Sequence, residues 1–85
     1  MRVRDQVLLH LLHHPRGDSY YAPDELTQRG LAIALDTSDG YLVQTLIALE
    51  KEGLIHREKG RVRNRNHGVL IITLTAEGER AIRSR

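Results

Sequence analysis

The apolar residues of this 85-residue chain change period once, at Gly53, and that switch excludes most folds. Up to Gly53 they recur at helical intervals, and beyond it they fall into short extended runs. Val3, Val7, Leu8, Leu11 and Leu12 form one apolar stripe, which predicts a first helix over about residues 2–13. Pro15 stops it, because the residue before a proline is pushed out of the α region, and Arg16-Gly17-Asp18-Ser19 reads as a turn. Tyr20-Tyr21-Ala22 is a candidate short extended piece. Pro23 with Asp24 and Glu25 is a helix-start signature, Thr27 offers a second cap, and the helix reaches Leu35 with Leu26, Leu31, Ala32 and Leu35 inward. After a tight turn at Asp36-Thr37, Ser38 caps a third helix whose Leu42, Leu46 and Leu49 make an inward row, and Gly53 ends it.

Leu54–Lys59 and the β-branched run Val69–Leu74 then read as strands. The segment from Gly60 to Gly68 between them holds Asn64 and Asn66, so the pair is an antiparallel hairpin. Thr75 caps a last helix through about Ile82, with Glu77 and Glu79 in its first turns. The expected fold is α+β: a three-helix core, a hairpin and a short C-terminal helix, in a single domain over residues 1–85. A chain of this mass buries roughly 64% of its extended surface, enough for modest independent stability. The chain holds no Phe, Trp or Cys, so the core must be aliphatic, and disulfides, thiolate zinc sites and cysteine nucleophiles are excluded. No apolar run approaches the ~20 residues of a membrane span, and the N-terminus does not read as a secretory signal. A cytoplasmic protein is expected.

The net charge of +2 hides an uneven distribution. Arg57, Lys59, Arg61, Arg63 and Arg65 lie within nine residues containing one acid, Glu58, so this segment carries +4 and the rest of the chain −2. A basic stripe on a near-neutral body points to a phosphate-bearing partner. At strand spacing Arg61, Arg63 and Arg65 would share one face of the hairpin, and Arg57 and Lys59 continue the same parity.

The run Thr27 to Ser38, the leucines 42, 46 and 49, and the exit Leu49-Glu50-Lys51-Glu52-Gly53-Leu54-Ile55 together resemble a winged helix-turn-helix. Leu74-Thr75-Ala76-Glu77-Gly78 resembles the strand-to-helix junction of the MarR-like group, including its small archaeal members. The resemblance covers roughly residues 20–82. It implies double-stranded DNA binding by a transcriptional regulator, with a recognition helix over about Asp39–Glu52 in the major groove and the hairpin wing on backbone or minor groove. On that reading Ser38, Gly40, Tyr41, Gln44 and Thr45 are candidate DNA contacts of the helix, Gln44 suiting an adenine edge, and Arg57, Lys59, Arg61, Arg63 and Arg65 those of the wing.

The sequence departs from the family pattern in carrying Asp39, Val43 and Ile47 on the recognition helix where Arg or Lys is usual, and Asp36 in the turn where Gly is commoner. Ile33, Val43 and Ile47 therefore define an alternative function, a protein-interaction module docking through an apolar patch, unless they simply fill the core. His10, His13 and His14 resemble a metal cluster and His10 and His14 share a helix face, but no third ligand is evident beside that pair, and no phosphate loop or nucleophile constellation is present, so neither a metal, a cofactor nor catalysis is expected. The last helix is short and supplies almost only Ala81 and Ile82 as apolar surface, which predicts a monomer or a weak homodimer.

Overall fold

A computed structural model of the chain describes residues 2–65 and 67–84; Asn66, expected in the hairpin turn, lies outside the described residues. The elements run α1 (Val3–His13), a 3-10 turn (Asp24–Leu26), α2 (Gln28–Leu35), α3 (Asp39–Lys51), β1 (Ile55–Gly60), β2 (Val69–Leu74) and α4 (Ala76–Arg83). The segment expected to open the second helix at Pro23 is divided: Asp24–Leu26 turn as 3-10, Thr27 is extended, and α2 starts at Gln28. Thr27 stays extended because it bridges Ile71 of β2 while its hydroxyl accepts from the Gly30 N–H at 3.0 Å and donates to the Asp24 carbonyl at 2.8 Å. A side chain at Gly30 would put its Cβ 2.1 Å from that same carbonyl, so only glycine lets turn and helix meet.

Both ends of the helix-turn-helix connection are closed by backbone. Asp36 takes a left-handed conformation (φ 51°), with the Thr37 N–H on the Ala32 carbonyl at 3.1 Å and its own N–H on Ile33 at 3.3 Å. Gly53 (φ 75°) repeats the arrangement at the end of α3, with Leu54 bonded to Leu49 and Gly53 to Glu50, each at 3.0 Å. The Ser38 hydroxyl caps α3 by accepting from the Tyr41 N–H at 3.3 Å. At the junction into α4, Thr75 accepts from the Gly78 N–H at 3.0 Å and donates to the Gly53 carbonyl at 2.7 Å. One threonine thus caps α4 and fastens it to the exit of α3. Gly78 packs on the Leu54 carbonyl, where a Cβ would stand 2.1 Å away.

β1 and β2 pair antiparallel from Ile55↔Leu74 to Gly60↔Val69, the only named strands among the described residues. The first strand therefore begins one residue later than expected, since Leu54 serves the helix exit. The Tyr20-Tyr21-Ala22 piece contributes one parallel bridge, Tyr21↔Arg61, with the Ala22 N–H on the Arg61 carbonyl at 2.7 Å. Val7, Leu26, Leu31, Leu42, Leu46, Leu49, Ile71 and Ile72 form the fully buried centre. The expected α3 leucine row lies wholly within it. α1 packs across α2, α3, β2 and α4, burying Val7, Leu8 and Leu11 and leaving Val3 and Leu12 half-buried. Asp5, outside the apolar stripe, is buried on the same helix.

Two ion pairs hold α3 in place from outside the core. Arg4 reaches from α1 to Glu52 with two hydrogen bonds of 2.7 and 2.9 Å, and Arg57 on β1 grips Glu50 at 2.7 and 3.1 Å. The Arg57 hydrogen bonds hold the Glu50 carboxyl below its ordinary value of 4.5, outweighing the opposing effect of desolvation.

Leu46→Ala is expected to cost roughly 2–5 kcal/mol in chemical denaturation, because the cavity opens at the centre of the core; an unchanged midpoint would contradict the α3 register. A group whose carboxyl titrates lower when folded stabilises the fold above its unfolded value and loses that contribution as pH falls through the folded one. Native protein should therefore melt above the Arg57→Gln variant at neutral pH. The gap should close as pH drops below about 4.5. A gap persisting to pH 2 would mean that Arg57 acts through packing alone.

Candidate nucleic-acid interface

With Leu42, Leu46 and Leu49 turned inward, the 100° advance per residue puts Gly40, Gln44, Ile47 and Lys51 on the opposite side of α3, flanked by Tyr41 and Val43. Tyr41 is 59% exposed and Ile47 36%. The Gln44 amide, exposed, makes no hydrogen bond among the described residues, so its donor and acceptor are both available. Nothing lies within 4 Å of where a Gly40 Cβ would stand, unlike Gly30 or Gly78. Packing does not explain that glycine. Thr45 is half-buried and its hydroxyl donates to the Tyr41 carbonyl at 3.1 Å, and the Ser38 hydroxyl is taken by the helix cap. Thr45 therefore keeps only acceptor capacity for a partner, whereas Ser38 keeps its hydroxyl donor. Arg2, Val3 and Arg4 of the first helical turn line an open groove beside Tyr41, Gln44, Thr45 and Ala48.

The basic segment is divided among different roles, contrary to the single face expected from alternation. Pairing stops at Gly60↔Val69, so Arg61, Arg63 and Arg65 do not follow one another along a strand. Val62 turns into the core, and Arg63-Asn64 forms a turn with Asn64 left-handed (φ 71°). Arg63 lies over the Tyr21 ring, 4.8 Å from its centroid. Arg65 folds back to the Asp24 carboxylate at 3.6 Å. Arg57 shares the strand parity of buried Ile55, which turns it inward to Glu50, where its side chain is 22% exposed. Lys59 is exposed and in no ion pair among the described residues.

Residues that spacing passed over join the hairpin root. Arg16 donates to the carbonyls of Ser19 at 2.7 Å and Tyr20 at 3.2 Å, which fixes its position without neutralising its charge. It shares an open cleft with Tyr20, Lys59, Gly60, Arg61 and Gly68. Tyr20 is 70% exposed and stands edge-on to Tyr21, ring centroids 5.0 Å apart. The signal in the sequence was an aromatic pair and an arginine inside a non-periodic segment bounded by Pro15 and Pro23.

The two remaining patterns resolve differently. Ile33, 70% exposed, lies on α2 in a groove with Arg29, Ser38 and Asp39, and neither it nor Ile47 belongs to the buried core. Val43 is half-buried. The His10 and His14 rings stack at 4.2 Å, and His10, His13 and His14 each place a ring nitrogen on a backbone carbonyl, of Glu25, Leu9 and His10 respectively, at 2.8–3.0 Å. Burial lowers the His10 pKa. Among the described residues no group of three ligating side chains could hold a metal, and no helix is long and apolar enough to cross a membrane.

No protein-family model and no curated protein matches this sequence. Solved structures do. A MepR variant from a multidrug-resistant S. aureus clinical isolate aligns with a TM-score of 0.77 at 23% identity, over 99% of this chain and 53% of that one. A second S. aureus MepR variant, bound to an oligodeoxyribonucleotide, gives 0.77 and 24% over 99% and 54%. The S. aureus MepR–DNA complex gives 0.72 and 26% over 95% and 50%. The chain spans about half the length of these proteins, and over that half it has the winged-helix fold of MepR, a MarR-family regulator.

Proposed function

We propose that this domain binds double-stranded DNA as a non-catalytic transcriptional regulator, with α3 in the major groove and the basic hairpin on the phosphate backbone or in the minor groove. The observation that carries the reading is the outer face of α3, where Gly40, Gln44 and Lys51 project from the helix between a core-facing leucine row and open solvent. Gln44 suits the N6/N7 edge of adenine, Tyr41 a phosphate or thymine methyl, the Thr45 methyl a thymine methyl, and the Ser38 hydroxyl, as donor, a phosphate. Lys59, Arg61 and Arg63 supply the phosphate contacts, with Arg57 and Arg65 holding the hairpin against the body. The DNA-bound forms of MepR support the reading through the shared fold. Docking of a protein through Ile33, Val43 and Ile47 is the less favoured function, since these residues lie on two different helices and Val43 is half-buried.

Neutralising about three phosphates per protomer makes log affinity fall with log salt at a slope of about −3. A titration showing a slope near zero would overturn the backbone role of the hairpin. Arg63→Ala should weaken all duplexes alike and flatten the slope by about 1, whereas Gln44→Ala should cost roughly 1–3 kcal/mol mainly on the preferred site. Gly40→Ala keeps or raises stability by up to ~1 kcal/mol, since Ala is the better helix residue, while a Cβ at the helix–base contact lowers affinity. Equal affinity for Gly40→Ala and native protein would remove the close approach at this end of α3.

We also propose that the 85-residue chain is a monomer or a weak homodimer, with any tight pairing arising on DNA. α4 spends Ile82 on the protomer's own core, and its remaining residues are largely polar. Sedimentation equilibrium at micromolar concentration should return the monomer mass, and a tight dimer would mean that α1 shares its apolar face between protomers.

A further inference from the structure

The middle of α3 pairs an unusual composition with an unusual place. Val43 and Ile47 lie one helical turn apart along α3, before and after Gln44, Ile47 is 36% exposed and Val43 half-buried, and the charged residue of the outer face, Lys51, stands at its C-terminal end. A guanidinium or ammonium in this position would take a guanine edge, which offers two acceptors. Aliphatic side chains have no such use. Pressed against a guanine edge or the cytosine amine they would leave a polar group desolvated and unpaired, a loss as large as a good contact gains. The one apolar group that base edges present in the major groove is the C5 methyl of thymine, at the position that 5-methylcytosine also carries.

We propose that Val43 and Ile47 are specificity-determining residues that read pyrimidine C5 methyl groups, so that the preferred half-site places thymines beneath the middle of α3, beside the adenine taken by Gln44. The four residues from Val43 to Ile47 rise about 6 Å, close to two base steps of ~3.4 Å, so the two methyls lie about two steps apart. Lys51 agrees with this occupant, since it brings positive charge to one end of an uncharged strip, where a phosphate bounding the groove would meet it. The inference rests on the DNA-binding reading.

The test begins with the preferred duplex selected from a random pool and remade with deoxyuridine in place of each thymine in turn. Removing one read methyl should weaken binding about fourfold, or ~0.8 kcal/mol, at two positions about two steps apart, with little effect elsewhere. Ile47→Ala should abolish the deoxyuridine effect at one of these positions and Val43→Ala at the other, with each variant's thermal midpoint checked for folding. Replacing a read T·A pair by 5-methylcytosine·G should retain more affinity than cytosine·G, which separates methyl reading from recognition of the A·T pair. Tight, Gln44-dependent binding that ignores deoxyuridine at every position overturns the inference and leaves the DNA-binding function standing. Failure to bind any duplex overturns both.

Discussion

The burial of Leu42, Leu46 and Leu49 is the constraint from which the rest of the molecule follows. In a core without Phe or Trp, three aliphatic side chains on one helix are a large share of the available apolar area, and they can be buried together only if α1, α2 and β1 close around the same side of α3. That fixes the rotation of α3 and leaves its opposite face uncovered. The connection on one side is then set by Asp36 and the Ser38 cap, and on the other by Gly53, whose left-handed backbone turns the chain into β1. Thr75 and Gly78 return α4 onto this same exit.

Electrostatics around α3 follow a related economy. Glu50 and Glu52 sit at the carbonyl end of the helix, where acids are unfavourable, on the flanks of its outer face. Arg57 and Arg4 cancel one each from a different element, so that Arg57, a candidate contact in the sequence, is spent on an acid of α3. These pairs are partly exposed and add little to stability at high salt. Their larger effect is on the local potential. Arg65 beside Asp24 does the same for the 3-10 turn.

The parts of this fold that were legible in the sequence are those with local causes. The α3 leucine row, the caps Ser38 and Thr75 and the terminator Gly53 each act over a few residues, and the structure has them where the spacing placed them. The start of α2 was misplaced because Thr27 is held extended by Ile71, more than forty positions away. The basic segment was harder for the same reason. Alternation along residues 57–65 assumed a strand running past Gly60, but strand pairing ends there, Val62 is drawn into the core, and Arg57, Arg63 and Arg65 settle on Glu50, the Tyr21 ring and Asp24 respectively. No local pattern encodes those partners. Arg16 and Tyr20 were missed because non-periodic segments carry no spacing signal at all.

The glycines separate what the architecture requires from what a partner requires. At Gly30 and Gly78 an added Cβ would strike a backbone carbonyl, of Asp24 and Leu54, at a distance no side chain adopts, so both glycines are consequences of packing. Gly40 meets nothing within the protein, and at the second position of α3 it costs helix stability that alanine would restore. The proposed close approach of DNA would give this glycine a use that packing does not. It stands at the start of the ridge that continues through Gln44 and Ile47 to Lys51, a length of about 16 Å, close to five base steps. Along that ridge the protein offers, in order, bare backbone, an amide, an aliphatic side chain and an ammonium. The first admits close approach, the last is suited to a phosphate, and the two between are the groups able to tell one base pair from another.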